Sequence, residues 1–592
     1  MKRRWPLTVL KFGSSVLRSD SDLPAVVHEI YRWIRGGHRV VAVVSAMNKT
    51  TNDLLTRAQR FGAGVDDRAV AALLATGEAS STALLALALA RAGVPAVALD
   101  EVRLGLRTEG PILDAEPCAL DIQALLSVLE TTPVVVVPGF VGRQADGAIS
   151  LLGRGGSDLS AIFIAEQIQA ENCRLIKDVN GVFEFDPSRP GLLPRRYRTM
   201  TWAEAACVGQ GVVQRKALSL AEERGRAFEV AALNSDQPSL ICDQPASFYD
   251  SAGDPGFLRV GLLGAGTVGL GVYRALATHP ESFDILHIAV RRLHREDGTP
   301  RSLLTQDPWQ VIDSDCDLVV ELIGGMSPAK ELMAAALRAG KHVITANKMV
   351  VAHHGRELRR LAAENDVQLL FSAAVGGAAP MLEQVRQVAE TRNIRSLRGV
   401  VNGTTNFILD RLAEGVSRED AISAAQQLGL AEQDPTTDLD GSDAAHKLAL
   451  LAQTAFGRWL DPSEIDRTGI ADLNVDSVRE AAKSGHSVRL VASLHRDQRG
   501  VRASVRPQLV DRNHPLAKTV NEENCLEIHP EGDEIVYVRG KGAGRWPAAE
   551  SVVADVFDIS RSAAYSRAVP RLDEALNASE QNQQNAHAPL GD

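Results

Sequence analysis

The sequence predicts an α/β protein with two lobes. Short β-branched runs alternate with stretches rich in Ala and Leu, which is the pattern of parallel sheets covered by helices. These runs are VVAVVSA, TPVVVVPGF, CRLIKDV, LRVGLLG, CDLVVELIG, KHVITANK and VQLLFSAAV. A segment dense in Pro, Gly, Ser and Asp, residues 243–256, divides the chain and predicts a linker. The polar tail from about residue 575 is predicted to be disordered.

The composition of the chain excludes several classes of partner. It carries 64 basic and 74 acidic residues, a net charge of −10, without a long basic run, which argues against nucleic acid or an anionic membrane. The six cysteines form no CxxC pair, so we expect neither a disulfide framework nor a zinc site, and a cytoplasmic location. No apolar stretch of about 18 residues free of polar interruption is evident, so no membrane segment is predicted.

The most informative local pattern is the run LRVGLLGAGTVGLGVYRAL, residues 258–276. A predicted strand leads into three glycines and then an amphipathic helix, which is the layout of a dinucleotide-binding turn. Gly264 permits the tight turn, Gly266 lets a pyrophosphate approach the backbone, and Gly269 lets helix and strand pack closely. The free N–H groups of the helix N-terminus favour phosphate. The residues assigned to the cofactor here are Gly264, Gly266, Thr267, Val268 and Gly269.

The next predicted strand, ILHIAVRRL, ends in two arginines, Arg291 and Arg292. A site for NAD would place an acidic residue there for the ribose hydroxyls, whereas a guanidinium can bind a 2′-phosphate. The sequence therefore favours NADPH, with NADH as the alternative. The other interpretation is that both arginines belong to a solvated loop.

A polar pair interrupts an otherwise apolar helical stretch, DAAHKLALLA. Asp443 and Lys447 are four residues apart, so they share one face of a mostly buried helix. A surface ion pair is the alternative interpretation. A lysine in this setting reaches water only through a cleft, and desolvation beside a carboxylate positions a lysine for proton transfer.

Residues 257–565 resemble homoserine dehydrogenases. The matched motifs are ELIGG, TANK, NGTTNF, GLAEQDP, DLDGSDAAHK and GKGAGRWPAAESVVAD. The resemblance implies that Lys447 donates a proton to the alkoxide formed by hydride attack on an aldehyde. It implies that Lys348, which we expect to end the strand HVITANK, contacts the nicotinamide side or helps to relay the proton. It further implies substrate contacts from Glu432, Asp438, Asp443 and Thr404, and cofactor contacts from Gly403, Gly429 and Lys348.

Two positions depart from the dehydrogenase pattern. In FSAAVGGAAP, Ser372 stands where the family has a glutamate. The resemblance implies that this glutamate helps to hold a monovalent cation together with the carbonyl groups of Val375, Gly377 and Ala379. A serine cannot supply the anionic ligand. Leu430 also stands where an aromatic residue is common, so an analogue of homoserine remains open as the substrate.

The segments LTVLKFGSSVL, VVAVVSAMNKTTNDLL, TGEASSTALL, GRGGSDLSA and LIKDVNGVFEFDP resemble aspartate kinases of the amino-acid kinase fold, over about residues 7–235. The resemblance implies that Lys11 bridges the phosphoryl group transferred from Mg-ATP and that Asp158 orients this lysine. Gly13 would let the backbone approach the phosphates, and Asp178 would lie near the nucleotide. The implied aspartate site comprises Thr51, Glu78 and Arg154.

The phosphate turn departs from the kinase pattern, because KFGSSV replaces KFGGTS. Ser14 replaces a glycine, which costs strain if that position needs a positive φ. Val16 removes a hydroxyl group. The alternative to a working kinase is therefore a catalytically silent module for binding or docking.

Together these observations predict an N-terminal amino-acid-kinase αβα sandwich fused to a Rossmann NAD(P)-binding domain and an α+β homoserine dehydrogenase catalytic domain. The expected parts are a kinase-like domain 1–242, the linker 243–256, a nucleotide-binding domain 257–380, a catalytic domain 381–535, a return to the nucleotide-binding lobe 536–574, and the tail 575–592. The short span between Asn234 and Leu258 leaves no room for paired ACT regulatory domains. We expect the small-molecule substrates L-aspartate, aspartate semialdehyde and homoserine, and a homodimer or higher homo-oligomer.

Overall fold

The computed structural model describes residues 5–62, 66–186, 194–208, 211–249, 257–280, 282–293, 297–498, 500–532, 534–542 and 544–568. These residues form sheets of nine, four, six and six strands. The predicted disordered tail and residues 250–256 of the predicted linker lie outside the described residues.

The N-terminal half contains the nine-stranded and four-stranded sheets. Its elements are β1 Leu7–Phe12, α1 Leu23–Arg35, β2 Arg39–Val44, α2 Thr50–Gln59, α3 Asp67–Ala92, β3 Ala96–Ala98, α4 Glu101–Leu104, β4 Arg107–Glu109, β5 Glu116–Ala119, α5 Ile122–Thr131, β6 Val134–Pro138, β7 Val141–Arg143, β8 Ile149–Leu151, α6 Gly156–Gln167, β9 Asn172–Ile176, β10 Tyr197–Thr201, α7 Trp202–Val208, α8 Arg215–Glu223, β11 Phe228–Ala231, β12 Ser239–Cys242 and β13 Ser247–Phe248. The large sheet has the order β13-β10-β12-β11-β9-β1-β2-β6-β3, and the small sheet has the order β5-β4-β7-β8.

The centre of the large sheet is parallel and buried on both faces. Strands β9, β1, β2 and β6 are parallel neighbours. On β1, Leu10 and Phe12 pack with α1 and α3, whereas Leu7 and Val9 pack with α5 and α6. Alternate side chains of β1 therefore point to opposite faces of the sheet and pack against two layers of helices. This half is an αβα sandwich.

The second part contains a six-stranded parallel sheet. Its elements are β14 Leu258–Leu263, α9 Thr267–Ala277, β15 Phe283–Ala289, β16 Leu304–Thr305, α10 Trp309–Asp313, β17 Leu318–Glu321, α11 Ala329–Arg338, β18 His342–Thr345, α12 Lys348–Glu364, β19 Leu369–Leu370 and α13 Met381–Thr391. The strand order is β16-β15-β14-β17-β18-β19, and every pairing is parallel.

The third part is a six-stranded, mostly antiparallel sheet covered on one face by helices. Its elements are β20 Ile394–Val400, α14 Gly403–Ala413, α15 Arg418–Gln427, α16 Thr436–Leu439, α17 Ser442–Phe456, β21 Asp466–Arg467, α18 Val475–Lys483, β22 His486–Asp497, β23 Gly500–Asp511, β24 Glu523–Pro530, β25 Val536–Lys541 and α19 Arg545–Ala568. The order is β21-β23-β22-β20-β24-β25. Helix α19 returns to the parallel sheet, where Val552, Val556 and Ile559 pack in the same cluster as Val272 of α9.

The α/β class is confirmed, but three local expectations need correction. Strand β13 lies inside the predicted linker and pairs with β10, because Ser247 and Phe248 complete the edge of the large sheet. Strand β25 pairs with β24 in the third sheet, so residues 536–541 do not belong to the return. Lys348 begins α12 instead of ending a strand, because β18 stops at Thr345 and Asn347 caps the helix.

Helix α3 is the described segment that bears on the expectation of no membrane segment. Among the described residues it alone meets that criterion by length and composition, with a mean hydropathy of 1.5 over its most apolar window. The polar residues between Thr76 and Thr82 interrupt the run without removing its overall apolar character. Leu85 and Leu89 of α3 are fully buried against α1 and the large sheet, which is the packing of a core helix.

The glycine turn between β14 and α9 has the predicted geometry. Gly264 has a φ of +106°, and a Cβ at Gly269 would lie 2.2 Å from the carbonyl oxygen of Gly264. A Cβ at Gly266, which precedes the first turn of α9, would meet no atom within 4 Å. Of these three glycines, only Gly266 has open space around the position of a Cβ, beside the helix N-terminus.

We expect Gly269→Ala to lower the free energy of unfolding by about 1–3 kcal/mol, because the methyl group must displace the backbone of the turn. Gly266→Ala is expected to unfold like the wild type but to bind NADPH more weakly. Thermal unfolding with and without NADPH measures both effects. Identical unfolding midpoints for the two variants without NADPH would contradict the assigned roles.

Candidate functional sites

In the C-terminal half, a buried aspartate lies between two lysines. The Lys348 Nζ is 2.7 Å from Asp443 Oδ1, and the Lys447 Nζ is 2.8 Å from Asp443 Oδ2. Lys447 also donates to the carbonyl oxygen of Val401 at 2.6 Å. Lys348 is the first residue of α12, in the part with the parallel sheet, and the other two side chains come from α17, so the aspartate joins the two parts.

The geometry of α17 produces the second of these ion pairs. Gly441 has a φ of +82° and lets the chain turn into the helix. Asp443 and Lys447 then stand one turn apart on the same face, as the sequence predicted, and both are buried. The surface ion pair considered from the sequence is therefore excluded.

The two lysines keep Asp443 ionised. Burial alone would raise the pKa of Asp443, but the attraction of Lys447 and Lys348 outweighs burial, and the pKa lies below its ordinary value. The charge of Asp443 in turn raises the pKa of Lys348, against the effect of burial. The site thus presents two ammonium groups around one carboxylate, with a surplus of positive charge.

Sequence reasoning missed Asn402, which connects two carboxylates of the site. Its amide nitrogen donates to Asp438 Oδ1 at 2.7 Å and to Asp443 Oδ2 at 2.8 Å. Its oxygen accepts from the backbone N–H of Thr405 at 2.8 Å and caps α14. An asparagine directly before a predicted helix was the signal available in NGTTNF.

The other predicted substrate and cofactor residues of this half lie around Asp443 and differ in how far they are buried. Asp438 is half-buried, and burial and the charge of Asp443 raise its pKa. Thr404 is buried and donates to the carbonyl oxygen of Leu430 at 2.7 Å, so its hydroxyl is already engaged. Glu432 and Gly429 are exposed at the rim. Gly403 packs tightly, since a Cβ there would lie 2.7 Å from Glu522 Cα.

Glu321 of the ELIGG motif is a second residue that sequence reasoning did not single out. Its carboxylate is fully buried and accepts from the backbone N–H groups of Ile323 and Gly324 at 2.8 and 3.2 Å. It also accepts from the Thr345 hydroxyl at 2.6 Å. These bonds hold the loop after β17 against the end of β18, beside the start of α12.

The residues of the glycine turn fit a dinucleotide. The backbone N–H of Gly264 donates to the carbonyl oxygen of Ala289 at 3.0 Å, so the ends of β14 and β15 lie side by side. Thr267 is exposed and Val268 half-buried at the start of α9. Arg291 and Arg292 follow β15 at this edge and are exposed.

The residues assigned to a monovalent cation do not fit one. Ser372 Oγ donates to Asp555 Oδ1 at 2.7 Å and accepts from the Arg35 guanidinium at 3.2 Å. The Ala379 carbonyl accepts from the backbone N–H of Met381 at 2.7 Å. Val375 and Gly377 are buried, and none of the four residues supplies a negative charge.

The N-terminal half contains a second aspartate between two lysines. The Lys11 Nζ is 2.7 Å from Asp158 Oδ1, and the Lys177 Nζ is 2.7 Å from Asp158 Oδ2. Lys11 lies near the end of β1, and Lys177 directly follows the neighbouring strand β9. Asp158 lies in the first turn of α6. The structure thus brings Lys11, Lys177 and Asp158 together.

Burial and charge set the protonation of this second group. Burial lowers the pKa of Lys11 to about 8, with Asp158 acting against it and Lys177 in the same direction. Burial alone would raise the pKa of Asp158, but the attraction of both lysines outweighs it and the pKa lies below its ordinary value. Lys177 was not assigned a role from the sequence, although two neighbouring buried strands that both lead to a lysine were a signal.

The remaining predicted kinase residues line the same carboxyl edge of the large sheet. Glu78 is buried and accepts from the backbone N–H of Ala46, after β2, at 3.2 Å. Burial raises its pKa to about 7. Thr51 is half-buried in the first turn of α2, whereas Arg154 and Asp178 are exposed.

Two loops at this edge can approach phosphates. In GRGG, Gly153 and Gly155 have φ values of +72° and +76°, and α6 presents its free N–H groups directly after them. In KFGSSV, a Cβ at Gly13 would lie 2.9 Å from the Lys11 Nζ. Ser14 is not among the described non-glycine residues with positive φ. A serine in place of the glycine of the kinase pattern therefore causes no backbone strain at this position.

Comparisons with known proteins match each part of the chain. Models of the amino acid kinase family, of the homoserine dehydrogenase NAD binding domain and of homoserine dehydrogenase match residues 6–228, 264–372 and 380–557. The homoserine dehydrogenase of Bacillus subtilis is 37% identical over 319 residues, which are 52% of this chain and 73% of that protein. That of Corynebacterium glutamicum is 35% identical over 340 residues, 55% of this chain and 76% of that protein.

A solved structure gives the same result. A homoserine dehydrogenase from Thiobacillus denitrificans is 36% identical, with a TM-score of 0.51 over 53% of this chain and 76% of that chain. The fold and the sites thus define an oxidoreductase with an NAD(P)-binding domain, preceded by a kinase-type lobe. The chain belongs to the homoserine dehydrogenase family, and residues 6–228 form an amino acid kinase family domain fused before it.

We expect Asp443→Asn to lower the free energy of unfolding by about 3–5 kcal/mol, because it leaves the buried Lys447 ammonium group without its carboxylate. Unfolding in urea measures the loss. Asp434→Asn is the control, since Asp434 is exposed in the same loop region and its replacement should change the midpoint little. If both variants unfold like the wild type, the aspartate contributes no net stability to this half.

Proposed function

We propose that the protein is bifunctional. Its C-terminal half reduces L-aspartate 4-semialdehyde to L-homoserine with NADPH, and its N-terminal half phosphorylates L-aspartate with Mg-ATP to 4-phospho-L-aspartate. The observation that carries the proposal is the repeated arrangement of one buried aspartate between two lysines, at the ligand-binding edge of each half. The reductase step between the two products requires a separate enzyme.

For the dehydrogenase, the residues divide into binding and proton transfer. NADPH, when bound, supplies the hydride that adds to the aldehyde carbon. The Lys447 ammonium gives its proton to the carbonyl oxygen as negative charge develops there, and Asp443 holds that ammonium in place. Lys348 adds a second positive charge close by, while Asp438 and Glu432 are placed to bind the substrate's ammonium group.

NADPH is favoured over NADH by the charge beside the glycine turn. Arg291 and Arg292 follow β15, next to the turn in sheet order, and both are exposed. A guanidinium at this place pairs with a 2′-phosphate. The four residues directly after this strand, VRRL, include no acidic residue that would bind the ribose hydroxyls of NAD.

For the kinase, the chain supplies positive charge and backbone N–H groups. An oxygen of the substrate's side-chain carboxylate attacks the γ-phosphorus, and ADP leaves. Lys11 and Lys177 stabilise the charge on the transferred group, and Asp158 fixes both ammonium groups. Glu78 would bind the substrate's ammonium group, and Arg154 its carboxylate.

The second candidate function is a dehydrogenase with a silent kinase-like module. It is motivated by KFGSSV, in which Val16 removes a hydroxyl group. The unstrained backbone at Ser14 and the intact Lys11–Asp158 pair favour the working kinase.

Reciprocal variants separate the two activities. We expect Lys11→Ala to abolish aspartyl phosphate, trapped with hydroxylamine, while NADPH oxidation on aspartate semialdehyde continues. Lys447→Ala should do the reverse and reduce the dehydrogenase rate about 10²–10⁴-fold, the usual contribution of a general acid. Arg57→Ala, an exposed change on α2, controls for general damage. A wild-type protein that forms no hydroxamate but consumes NADPH would leave only the dehydrogenase.

The kinase should bind aspartate better as the pH rises. Because the pKa of Glu78 is about 7, this carboxyl group is mostly neutral at pH 6 and mostly ionised at pH 8. The KM for aspartate should therefore fall about tenfold over this range, since only the ionised form pairs with an ammonium group. Glu78→Gln should raise KM and remove the pH dependence, whereas Glu130→Gln, an exposed change, should not. A wild-type KM that is constant from pH 6 to 8 would exclude this role.

A further inference from the structure

Arg35, the last residue of α1, extends from the kinase-type lobe into the dehydrogenase half. A single guanidinium nitrogen, Nη2, lies 2.7 Å from Asp555 Oδ1, 2.9 Å from Glu383 Oε1, 3.1 Å from Asp558 Oδ2 and 3.2 Å from Ser372 Oγ. The Arg35 side chain is only 9% exposed. Nη2 donates hydrogen bonds to Asp555 Oδ1 and Ser372 Oγ, and the Glu383 and Asp558 carboxylates lie within ion-pair distance of it.

The four oxygens belong to three segments that meet at one joint. Ser372 lies in the short turn after β19, the last strand of the parallel sheet. Glu383 lies in the first turn of α13, which leads to β20 of the third sheet. Asp555 and Asp558 lie on α19, which packs on α9 behind the glycine turn. Arg35 therefore contacts every segment that connects the nucleotide-binding part with the catalytic part near this point.

The joint needs a cation. Burial raises the pKa of Asp555 to about 6, and the charges of Glu383 and Asp558 add to this against the attraction of Arg35. Arg35 is held ionised, since the three carboxylates raise its pKa well above the ordinary value despite burial. Without Arg35, Asp555 and Glu383 would lose the cation that pairs with both, while Asp558 would keep its ion pair with Arg561.

We propose that Arg35 is a positioning residue for the dehydrogenase: its guanidinium replaces a monovalent cation at the joint and fixes the nucleotide-binding domain against the catalytic domain. The proposal rests on the dehydrogenase function proposed above. It explains why Ser372 can stand where the family has a glutamate, because Asp555 and Glu383 already supply negative charge to a fixed cation. The kinase-type lobe thereby becomes part of the dehydrogenase.

The position of this joint matters because the active site spans it. Lys348 belongs to the nucleotide-binding part, whereas Asp443 and Lys447 belong to the catalytic part, and their ion pairs are 2.7 and 2.8 Å long. A misplacement of about 1 Å between reacting groups costs about 10²-fold in rate. Loosening the joint should therefore lower kcat without removing any group that contacts the substrate.

The experiment compares Arg35→Ala and Arg35→Lys with His28→Gln in the full chain. His28 is a matched control, because it lies two turns earlier on α1 and contacts α19 through Glu550 at 2.6 Å, but none of the four oxygens. NADPH oxidation on aspartate semialdehyde is measured in sodium, potassium and choline chloride. Each variant is also assayed with millimolar guanidinium chloride, with equimolar urea as its control.

We expect the wild-type rate to be the same in all three salts. Arg35→Ala should lower kcat about 10–100-fold, with partial recovery in guanidinium or in sodium or potassium but not in urea. Arg35→Lys should be intermediate, and His28→Gln should stay within about twofold of the wild type, in line with the small effect of changes away from the joint. An unimpaired Arg35→Ala, or a loss equal to that of His28→Gln without recovery, overturns the proposal.

Hydrogen exchange of the backbone gives a readout that does not depend on the reaction. Arg35→Ala should speed exchange in residues 372–383 and 550–558 but leave β22 and β23 unchanged. If the wild type does not oxidise NADPH with aspartate semialdehyde, the proposed function fails, and exchange still decides the role of Arg35. Unchanged exchange at the joint would then overturn that role.

Discussion

Each half of the protein depends on one buried carboxylate that forms ion pairs with two lysines. Asp158 pairs with Lys11 and Lys177, and Asp443 pairs with Lys348 and Lys447. A buried aspartate requires such partners, and Lys11, Lys177 and Lys348 come from elements other than the helix that carries their aspartate. The arrangement also leaves one net positive charge in a desolvated place, where an anionic group or a developing alkoxide is stabilised most. Structure and proposed chemistry thus have the same electrostatic origin.

The two halves of the described chain are joined by direct packing. Trp546 of α19 stacks under the Arg91 guanidinium at 4.3 Å, and the backbone N–H of Lys541 donates to the Gly93 carbonyl at 3.2 Å. Ala378 and Ala554 are buried in the same cluster as α1 and α3. The N-terminal lobe therefore covers surface that the dehydrogenase half would otherwise expose.

The sequence was sufficient to predict features that depend on residues close together in the chain. Helical spacing predicted the Asp443–Lys447 pair, and the glycine turn predicted the backbone at Gly264 and Gly269, because both depend on residues a few positions apart. Lys177, Asn402 and Arg35 could not be assigned this way. Their partners are 19 to 520 residues distant in the chain, and which elements become neighbours is decided by the assembled sheets. Ser372 was predicted to be a lost ligand, and its partners, Arg35 and Asp555, lie on two other elements.

Helix α19 also determines when the N-terminal lobe can finish folding. A chain leaves the ribosome from its N-terminus, and domains usually fold in that order. Yet the faces of α1 and α3 that carry His28, Arg35 and Arg91 find their partners only on α13 and α19 and in the neighbouring segments. These faces of α1 and α3 therefore stay exposed to solvent until about three hundred further residues have been synthesised. Folding of the first lobe is therefore completed late, after α19, the last described helix, has been synthesised.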